Sequence, residues 1–396
     1  MRTMNRCCLS LLVFLCGLLA SGIGIPLKSI SDELVLRLSG VAGLNADVEH
    51  QLQGTVLVEA VDGGLLFQSD DGKIWFVQPD QIVSHIKQAE PVKPVLRKEM
   101  IRRLEAELPD NFRFFERNHY VIGYQTELAY AKWIGSLYEG RLYRGFERFW
   151  KQKKLELTTP EFPLVVLIFQ NQQTYEQFLL QEFGQVPTMV AYYNLQSNRV
   201  AMYDLTTRQP VGGNNMANNR TLEMILWSPA IWPMIATLIH EGSHQLIFNR
   251  GIQQRFADSP YWLNEGLAMY FETPDRTHRS GWRQAGQLNY ARLAEFRQRQ
   301  QNRSLQSLKS LIQSDELFQN PDSDSVVGSY AESWALVHFL LERRADQFTA
   351  YLEDLRKKRP LAPITAEQRI QDFETHFGDD WEGLEKQFME FMNMLK

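Results

Sequence analysis

Alternating apolar and polar residues predict β structure in the first part of the chain. The segments ELVLRL, TVLVEAV, LLFQS and KIWFVQ are rich in strand-forming residues and are separated by the turn formers DGG and DDG. This pattern predicts a small antiparallel barrel or sandwich over residues 31–87, which we interpret as a structural accessory module. The following stretch QAEPVKPVLRK carries two prolines and mixed charge, and it predicts a linker over residues 88–98.

From residue 99 onward the periodicity changes. HYVIGYQ and PLVVLIFQ predict strands, residues 126–152 have helical spacing, and a further helix is expected near residues 172–183. VAYYN and RVAMYD, joined by LQSN, predict a hairpin. Beyond residue 221 nearly every segment has helical spacing. The predicted fold class is therefore α+β, in which the β module is followed by a domain over residues 99–396 with an α/β half and a helical half.

The N-terminal residues have the layout of an export signal. Arg2 and Arg6 precede an uncharged, mostly apolar run that ends at Lys28, and small residues suited to cleavage lie at positions 20–24. We therefore expect residues 1–24 to be a signal peptide and the protein to be exported, to the periplasm or the extracellular space. The same run is long enough to span a bilayer, so an uncleaved N-terminal anchor is the alternative, and it is the only membrane contact that the sequence predicts.

Cysteine usage limits the chemistry of the exported product. All three cysteines lie inside the N-terminal segment, at Cys7, Cys8 and Cys16. A cleaved product therefore has no disulfide, no thiolate nucleophile and no cysteine metal ligand. Lipid modification is disfavoured because Leu15 precedes Cys16, where lipoprotein processing requires a small residue.

The charge balance argues against a nucleic acid partner. Cleavage removes Arg2 and Arg6 and changes the formal net charge from −5 to −7. The most basic stretch, RLAEFRQRQQNR at residues 292–303, contains interleaved glutamines, so it predicts a solvated helix face or loop. The asparagine-rich stretch at residues 211–220 predicts a loop without the ending of a phosphate-binding motif.

The stretch LIHEGSHQLIFNRG concentrates residues that can carry chemistry. The chain has only eight histidines, and His240 and His244 lie four positions apart in it. Prolines upstream and a glycine downstream predict a helix over residues 234–250, on which these two imidazoles share a face. Both could bind one zinc ion, with Glu241 placed to take a proton from the water that zinc activates. The alternative is a pair of buried, hydrogen-bonded core histidines.

A third zinc ligand can be sought further along the chain. The metzincin pattern is excluded because Ile247 and Arg250 occupy its glycine and histidine positions. SPYWLNEGLAMYFE, residues 259–272, predicts a second helix with Ser259 as its N-cap. Glu265 is flanked there by apolar residues, and a carboxylate turned toward an interior needs a partner. We therefore predict Glu265 as the third ligand.

HEGSH followed by WLNEGLA resembles the gluzincin zinc metallopeptidases of the peptidase MA-like superfamily, and especially their secreted bacterial members. The resemblance covers roughly residues 100–396 and implies a zincin-like, thermolysin-like domain. It implies zinc bound by His240, His244 and Glu265, with Glu241 as general base. It also implies that Tyr330, 65 residues beyond Glu265 in SYAESWALVHFLL, donates to the oxyanion. The alternative for Tyr330 is a packed core tyrosine.

The resemblance further implies that the strand NRVAMYD lies at the edge of its sheet, beside the cleft, where an extended peptide would bind. Two family features are absent. The G-x-M-E-N signature of aminopeptidases is missing, since GGNNMANN lacks its acidic residue. The acid four residues beyond the third ligand is also missing, because Met269 stands there, so the partner of the zinc histidines is unassigned. His338, on an apolar helix face, is expected in the core.

Together these features predict an exported, zinc-dependent peptidase that acts on peptides or proteins, as an endopeptidase rather than an exopeptidase. One zinc ion per chain would activate water and polarise the scissile carbonyl. Glu241 would move the proton, and Tyr330 would stabilise the oxyanion. Two alternatives stay open: a non-catalytic binding protein that keeps the scaffold, and a zinc hydrolase of a non-peptide substrate.

Overall fold

A computed structural model describes residues 31–38, 48–208, 226, 228, 230–273, 285–319 and 323–396. The predicted signal segment, residues 1–24, and the predicted loop at 211–220 lie outside the described residues. The chain divides into two compact units. Unit 1 consists of Met1–Gly135 and Pro160–Asn219, and unit 2 consists of Ser136–Thr159 and Arg220–Lys396.

Unit 1 begins with a five-stranded antiparallel sheet. Its strands are β1 (Ser31–Leu38), β2 (Val48–Glu59), β3 (Leu65–Ser69), β4 (Ile74–Val77) and β5 (Ile82–Gln88), in the order β4-β3-β2-β1-β5. Alternate apolar side chains form its core, namely Leu34, Leu36, Leu65, Phe67 and Val77. The four predicted strands are confirmed. Strand β5 was not predicted, because the polar residues of IVSHIKQ break the apolar alternation.

The second sheet of unit 1 is mixed. Its strands are β6 (Arg113–Glu116), β7 (Tyr120–Tyr124), β8 (Leu164–Phe169), β9 (Ala191–Asn194) and β10 (Arg199–Tyr203), in the order β6-β7-β8-β10-β9. The central strands β7, β8 and β10 are parallel to one another, and β6 and β9 are antiparallel to their neighbours. Every residue of β7 and β8 is buried, as expected of strands covered on both faces.

The expectation that NRVAMYD forms an edge strand is wrong. Strand β10 pairs with β8 on one side and with β9 on the other, so β9 rather than β10 is the edge strand at this end of the sheet. The hairpin itself is as predicted, but its second strand lies inside the sheet. Val200, Ala201 and Met202 are almost completely buried, which favours the interior position for β10.

The helices of both units follow one another along the chain. They are α1 (Arg97–Glu107), α2 (Leu128–Gly135), α3 (Arg144–Gln152), α4 (Gln172–Phe183), α5 (Trp232–Asn249), α6 (Tyr261–Glu272), α7 (Tyr290–Gln301), α8 (Leu308–Gln313), α9 (Glu316–Gln319), α10 (Ser323–Arg343), α11 (Ala345–Leu355), α12 (Ala366–Phe377) and α13 (Trp381–Met394). A π-helical segment, Ser136–Tyr143, precedes α3. Among the described residues, no helix combines the length and the hydropathy that a membrane-spanning segment needs.

The core of unit 2 is formed by helices. Helix α6 packs against both α5 and α10, and all three contribute fully buried side chains. The π-helical segment packs against α5, where the Tyr138 hydroxyl donates a 2.6 Å hydrogen bond to the carbonyl of Leu238. The chain therefore has mixed α/β content, with sheets in its N-terminal part and helices in its C-terminal part. This arrangement is consistent with the predicted α+β class.

Candidate metal centre

Helix α5 carries the two predicted histidines. It spans Trp232–Asn249, close to the expected 234–250, with Pro233 in its first turn. Because positions i and i+4 share a helix face, the imidazoles of His240 and His244 come together. Their Nε2 atoms lie 3.1 Å apart, and both side chains are only 13 % exposed.

The residues between the histidines hold α5 in place. A Cβ atom at Gly242 would come within 2.6 Å of Leu142 and 2.8 Å of Tyr138, so this position requires glycine for the close approach of the π-helical segment. Ser243 is fully buried, and its hydroxyl donates a 2.7 Å bond to the carbonyl of Ile239. Gly242 and Ser243 therefore pack α5 against its neighbours, whereas His240 and His244 face Glu265.

Helix α6 presents Glu265 to the histidines. One Glu265 carboxylate oxygen lies 3.2 Å from His240 Nε2, and the other lies 3.6 Å from His244 Nε2. The helix begins at Tyr261 rather than after a Ser259 cap, and the Asp315 carboxylate accepts the Tyr261 backbone N–H at 2.9 Å. The first backbone N–H of α6 is thus satisfied by a carboxylate from a distant segment. The prediction that Ser259 is the N-cap was wrong.

The position after Glu265 fixes α6 against α10. A Cβ atom at Gly266 would come within 2.5 Å of Val337 and 2.7 Å of the Ser333 carbonyl, both on α10. Trp262 and Leu263 are fully buried on the same helix. The apolar residues that flank Glu265 therefore bury it, as the sequence predicts.

His240, His244 and Glu265 together form a possible metal-binding triad. One ligand atom from each residue lies within 4.8 Å of the others. Two imidazole nitrogens and a carboxylate oxygen are a donor set that divalent transition metals accept. The structure thus brings together the three residues predicted as metal ligands.

The two imidazoles of the triad have shifted pKa values, and the shifts are in opposite directions. Burial opposes protonation of His240, but hydrogen bonds to Glu265 and Glu272 outweigh it and raise the pKa of His240 well above its usual value. Burial lowers the pKa of His244 to about 4. The His240 imidazole therefore carries an additional proton and the His244 imidazole does not, so His240 can donate a hydrogen bond to His244. Because a metal ligand must be deprotonated, cation binding has to displace the proton of His240.

The Glu265 carboxylate stays ionised in this setting. Burial acts to raise its pKa, but electrostatic interactions with His244 and His240, together with the hydrogen bond from His240, outweigh burial and lower that pKa below the usual value. Arg292 contributes to the same lowering of the pKa. An ionised carboxylate beside two imidazoles is the form that binds a divalent cation.

A second carboxylate, which the sequence analysis did not assign, orients His240. Glu272 Oε2 lies 2.7 Å from His240 Nδ1, and its other oxygen accepts a 3.0 Å bond from the side-chain amide of Asn289. A partner on Nδ1 directs Nε2 toward the ligand site. Glu272 lies seven residues after Glu265 on α6, which is two helical turns on the same face, so the helical spacing could have revealed it.

Asn289 extends this contact to the next helix. It is the N-cap of α7, and its side-chain oxygen accepts the backbone N–H of Arg292 at 3.2 Å. A continuous series of hydrogen bonds therefore runs from the first turn of α7 through Asn289 and Glu272 to His240. Asn289 is 7 % exposed, so this series is shielded from water.

The two residues predicted to be catalytic lie on the helices that frame the triad. Glu241 follows His240 directly on α5 and is partly buried. Tyr330 is buried on α10, and its hydroxyl lies 3.1 Å from the hydroxyl of Tyr261. Tyr261 precedes Glu265 by one turn on α6, so Tyr330 contacts the helix that carries the third ligand.

His338 lies in the core, as expected. Its ring stacks on Trp334, with centroids 5.3 Å apart, and also contacts Tyr270 and Phe391. Within the described part of the chain it is not grouped with the triad. Burial lowers the pKa of His338, which keeps its imidazole neutral.

Comparison with known proteins bears on the helices of this centre. The profile of a family described as "Protein of unknown function (DUF1570)" matches residues 234–362. This range contains α6, α7 and α10 and all but the first two residues of α5, and with them every residue of the triad. No curated protein matches the chain. The similarity thus covers the candidate centre, and the description of the family assigns it no chemistry.

Proposed function

We propose that the protein is an exported zinc-dependent peptidase with a zincin-like domain. One observation carries the proposal: the Nε2 atoms of His240 and His244 lie 3.1 Å apart, and the two carboxylate oxygens of Glu265 lie 3.2 Å from the first nitrogen and 3.6 Å from the second. Tetrahedral zinc with bonds of about 2.0–2.1 Å places its ligand atoms about 3.3 Å apart. The separation of the two Nε2 atoms is close to this value, and an oxygen of Glu265 lies at a similar distance from each nitrogen.

The composition of the donor set favours catalysis over a structural role. Structural zinc is usually held by four protein ligands, whereas catalytic zinc keeps one position for water or substrate. Among the described residues, His240, His244 and Glu265 supply three ligands, and Glu272 supports them through a hydrogen bond with His240 Nδ1. Of the common donor sets, two histidines and one glutamate are typical of zinc peptidases.

The chemistry of the proposal assigns one task to each residue. When bound, zinc would activate water and polarise the scissile carbonyl. The Glu241 carboxylate accepts the proton of the attacking water and passes it to the leaving amine as the peptide bond breaks. The Tyr330 hydroxyl donates a hydrogen bond to the developing oxyanion. Absence of the aminopeptidase signature favours internal cleavage of peptides.

The test separates metal binding from catalysis. Glu241→Gln removes the base but keeps shape and hydrogen bonding, so we expect normal zinc content, an unchanged melting temperature and a loss of turnover of about a hundredfold or more. Glu265→Ala should lose both zinc and activity. The measurements are zinc per chain, thermal melting and cleavage of a broad peptide library.

Two results would overturn the proposal. If Glu241→Gln cleaves as fast as the wild type, the assigned base is wrong. If the wild type holds zinc and cleaves nothing in the library, the protein is a binding protein or acts on a non-peptide substrate. Export is tested separately by N-terminal sequencing of the exported protein, which should begin after residues 20–24.

A further inference from the structure

Arg292 belongs to the basic stretch for which the sequence predicts a solvated face or loop. The stretch is helical, since α7 spans Tyr290–Gln301, but Arg292 itself is partly buried. The central carbon of its guanidinium lies 5.7 Å from the centroid of the Tyr330 ring. The Arg292 guanidinium therefore faces the residue proposed to bind the oxyanion.

Arg292 differs from other partly or fully buried arginines of unit 2. Arg250 pairs with Glu147 at 3.1 Å, and Arg299 pairs with Glu332 at 2.9 Å. Arg369 pairs with two aspartates in the same way. The guanidinium of Arg292 forms no hydrogen bond or ion pair with any residue in the described ranges.

The position of Arg292 is also unfavourable for the helix itself. It lies in the first turn of α7, where the partial positive charge of the helix end disfavours a cation. Its backbone N–H is nevertheless held by Asn289, which is linked through Glu272 to His240. The site therefore holds, beside the triad, an arginine that has no carboxylate partner among the described residues.

We propose that Arg292 binds a carboxylate of the peptide substrate beside the metal triad. The inference rests on the proposed peptidase function. A guanidinium presents planar, paired donors that match a carboxylate, and partial burial strengthens such charge-assisted bonds. The electrostatic effect of Arg292 on Glu265 supports its proximity to the centre.

Two kinds of substrate carboxylate share this chemistry. The C-terminal carboxylate of a short peptide would restrict cleavage to bonds near the end of the chain. The side chain of an aspartate or glutamate would instead give an internal cleavage site with an acidic preference. The two cases differ in the effect of C-terminal amidation, because an amide removes only the first.

The experiment measures binding, so that it does not depend on hydrolysis. Zinc-loaded Glu241→Gln protein is immobilised and offered pools of N-acetylated pentapeptides, with free C-termini or with C-terminal amides. A second pair of pools, both amidated, contains glutamate or glutamine at one position. We expect a preference of about ten- to a hundredfold for the free acid pool or for the glutamate pool. The pool that is preferred identifies the source of the carboxylate.

Arg292→Gln, added to the same protein, should abolish the preference while zinc content is retained. Arg292→Met, which keeps bulk against the Tyr330 ring, gives the same test if the glutamine variant does not fold. Arg303→Gln is the matched control, since it removes an exposed arginine from the same stretch and should leave the preference intact.

The outcomes separate this inference from the peptidase proposal. Absence of any carboxylate preference, or a preference that survives loss of Arg292, would overturn the inference. A drop in zinc affinity without a change in preference would also overturn it, because Arg292 would then act only on Glu265. If the preference depends on Arg292 but the wild type cleaves neither pool, the carboxylate site stands and the peptidase function fails.

Discussion

His240 and His244 on α5 and His338 on α10 are histidines of unit 2 with largely buried side chains, and their surroundings differ. At the triad, ring nitrogens of His240 and His244 converge on each other and on Glu265. On α10, His338 instead lies between aromatic rings, and its Nδ1 atom has no hydrogen-bond partner in the described part of the chain.

The difference shows that burial alone does not distinguish a ligand from a core residue. All three histidines are largely buried, and all three lie on long helices. What distinguishes the triad is that several donor atoms share one centre and that a carboxylate holds the far nitrogen of His240. Around His338, the contacts are made by ring faces, which stabilise packing and offer no donor set.

The largest difference between the two regions is expected when His244 of the triad and His338 of the core are each replaced by alanine. His244→Ala should reduce zinc from about one ion per chain to less than a tenth of that, because two ligands remain. His338→Ala should keep its zinc and lose about 2–4 kcal/mol of stability through the cavity that it leaves. Zinc analysis and chemical denaturation of both variants test the pair. Full zinc occupancy in His244→Ala would remove that residue from the centre.

Two tyrosine hydroxyls provide the next comparison. Tyr330→Phe should keep its zinc and lose about ten- to a thousandfold in turnover, the range for removal of one oxyanion donor. Tyr351→Phe is the control, since the Tyr351 hydroxyl is buried without a hydrogen-bond partner among the described residues, and its loss should leave turnover unchanged. Equal rates for wild type and Tyr330→Phe would make Tyr330 a core tyrosine.

Two glutamates beside the histidines allow a smaller but sharper test. Glu272→Gln should weaken zinc binding by about ten- to a hundredfold, because His240 loses its carboxylate partner. Glu342→Gln alters a carboxylate near His338 that accepts a 3.0 Å bond from Tyr270, and it should leave zinc affinity unchanged. Competition against a zinc chelator measures both. Equal changes in zinc affinity for Glu272→Gln and Glu342→Gln would show that Glu272 has no special role at the triad.

The smallest effect concerns pH. Burial lowers the pKa of His338 below 6.5, so in acid the unfolded chain takes up a proton at this residue before the folded protein does. Its contribution to stability is therefore present above pH 6.5 and is lost as the pH falls from 6.5 toward the lower pKa of the folded state. Denaturation of wild type and His338→Gln at pH 7.5 and pH 5 should show a steeper decline for the wild type. Parallel declines would show that His338 protonates freely.

Local spacing was sufficient to predict the triad. His240, His244 and Glu265 lie on two predicted helices, and the i, i+4 rule and an apolar flank required no knowledge of the tertiary fold. Glu272 could have been predicted in the same way, since it follows Glu265 at helical spacing. The family resemblance places an acid at the fourth residue after the third ligand, where this chain has Met269, and so it did not point to Glu272.

Features that depend on distant segments could not be predicted. The edge position assigned to β10 was wrong because strand order depends on which strand of the hairpin pairs with β8, and the apolar residues of both hairpin strands would suit that position. The start of α6 is set by Asp315, more than fifty residues away. The basic stretch suggested a solvated surface, but Arg292 contacts Tyr330, which the composition of the stretch does not reveal.

The hydrogen bonds from His240 through Glu272 and Asn289 to the backbone of Arg292 have a thermodynamic consequence. If an ion at the triad strengthens the Asn289 cap by some factor, linkage requires that the cap strengthen ion binding by the same factor. The stability of the first turn of α7, which contributes no ligand, would then depend on whether the triad holds an ion. Amide hydrogen exchange at Arg292 should slow as the ion binds, which makes the start of α7 an internal gauge of metal loading.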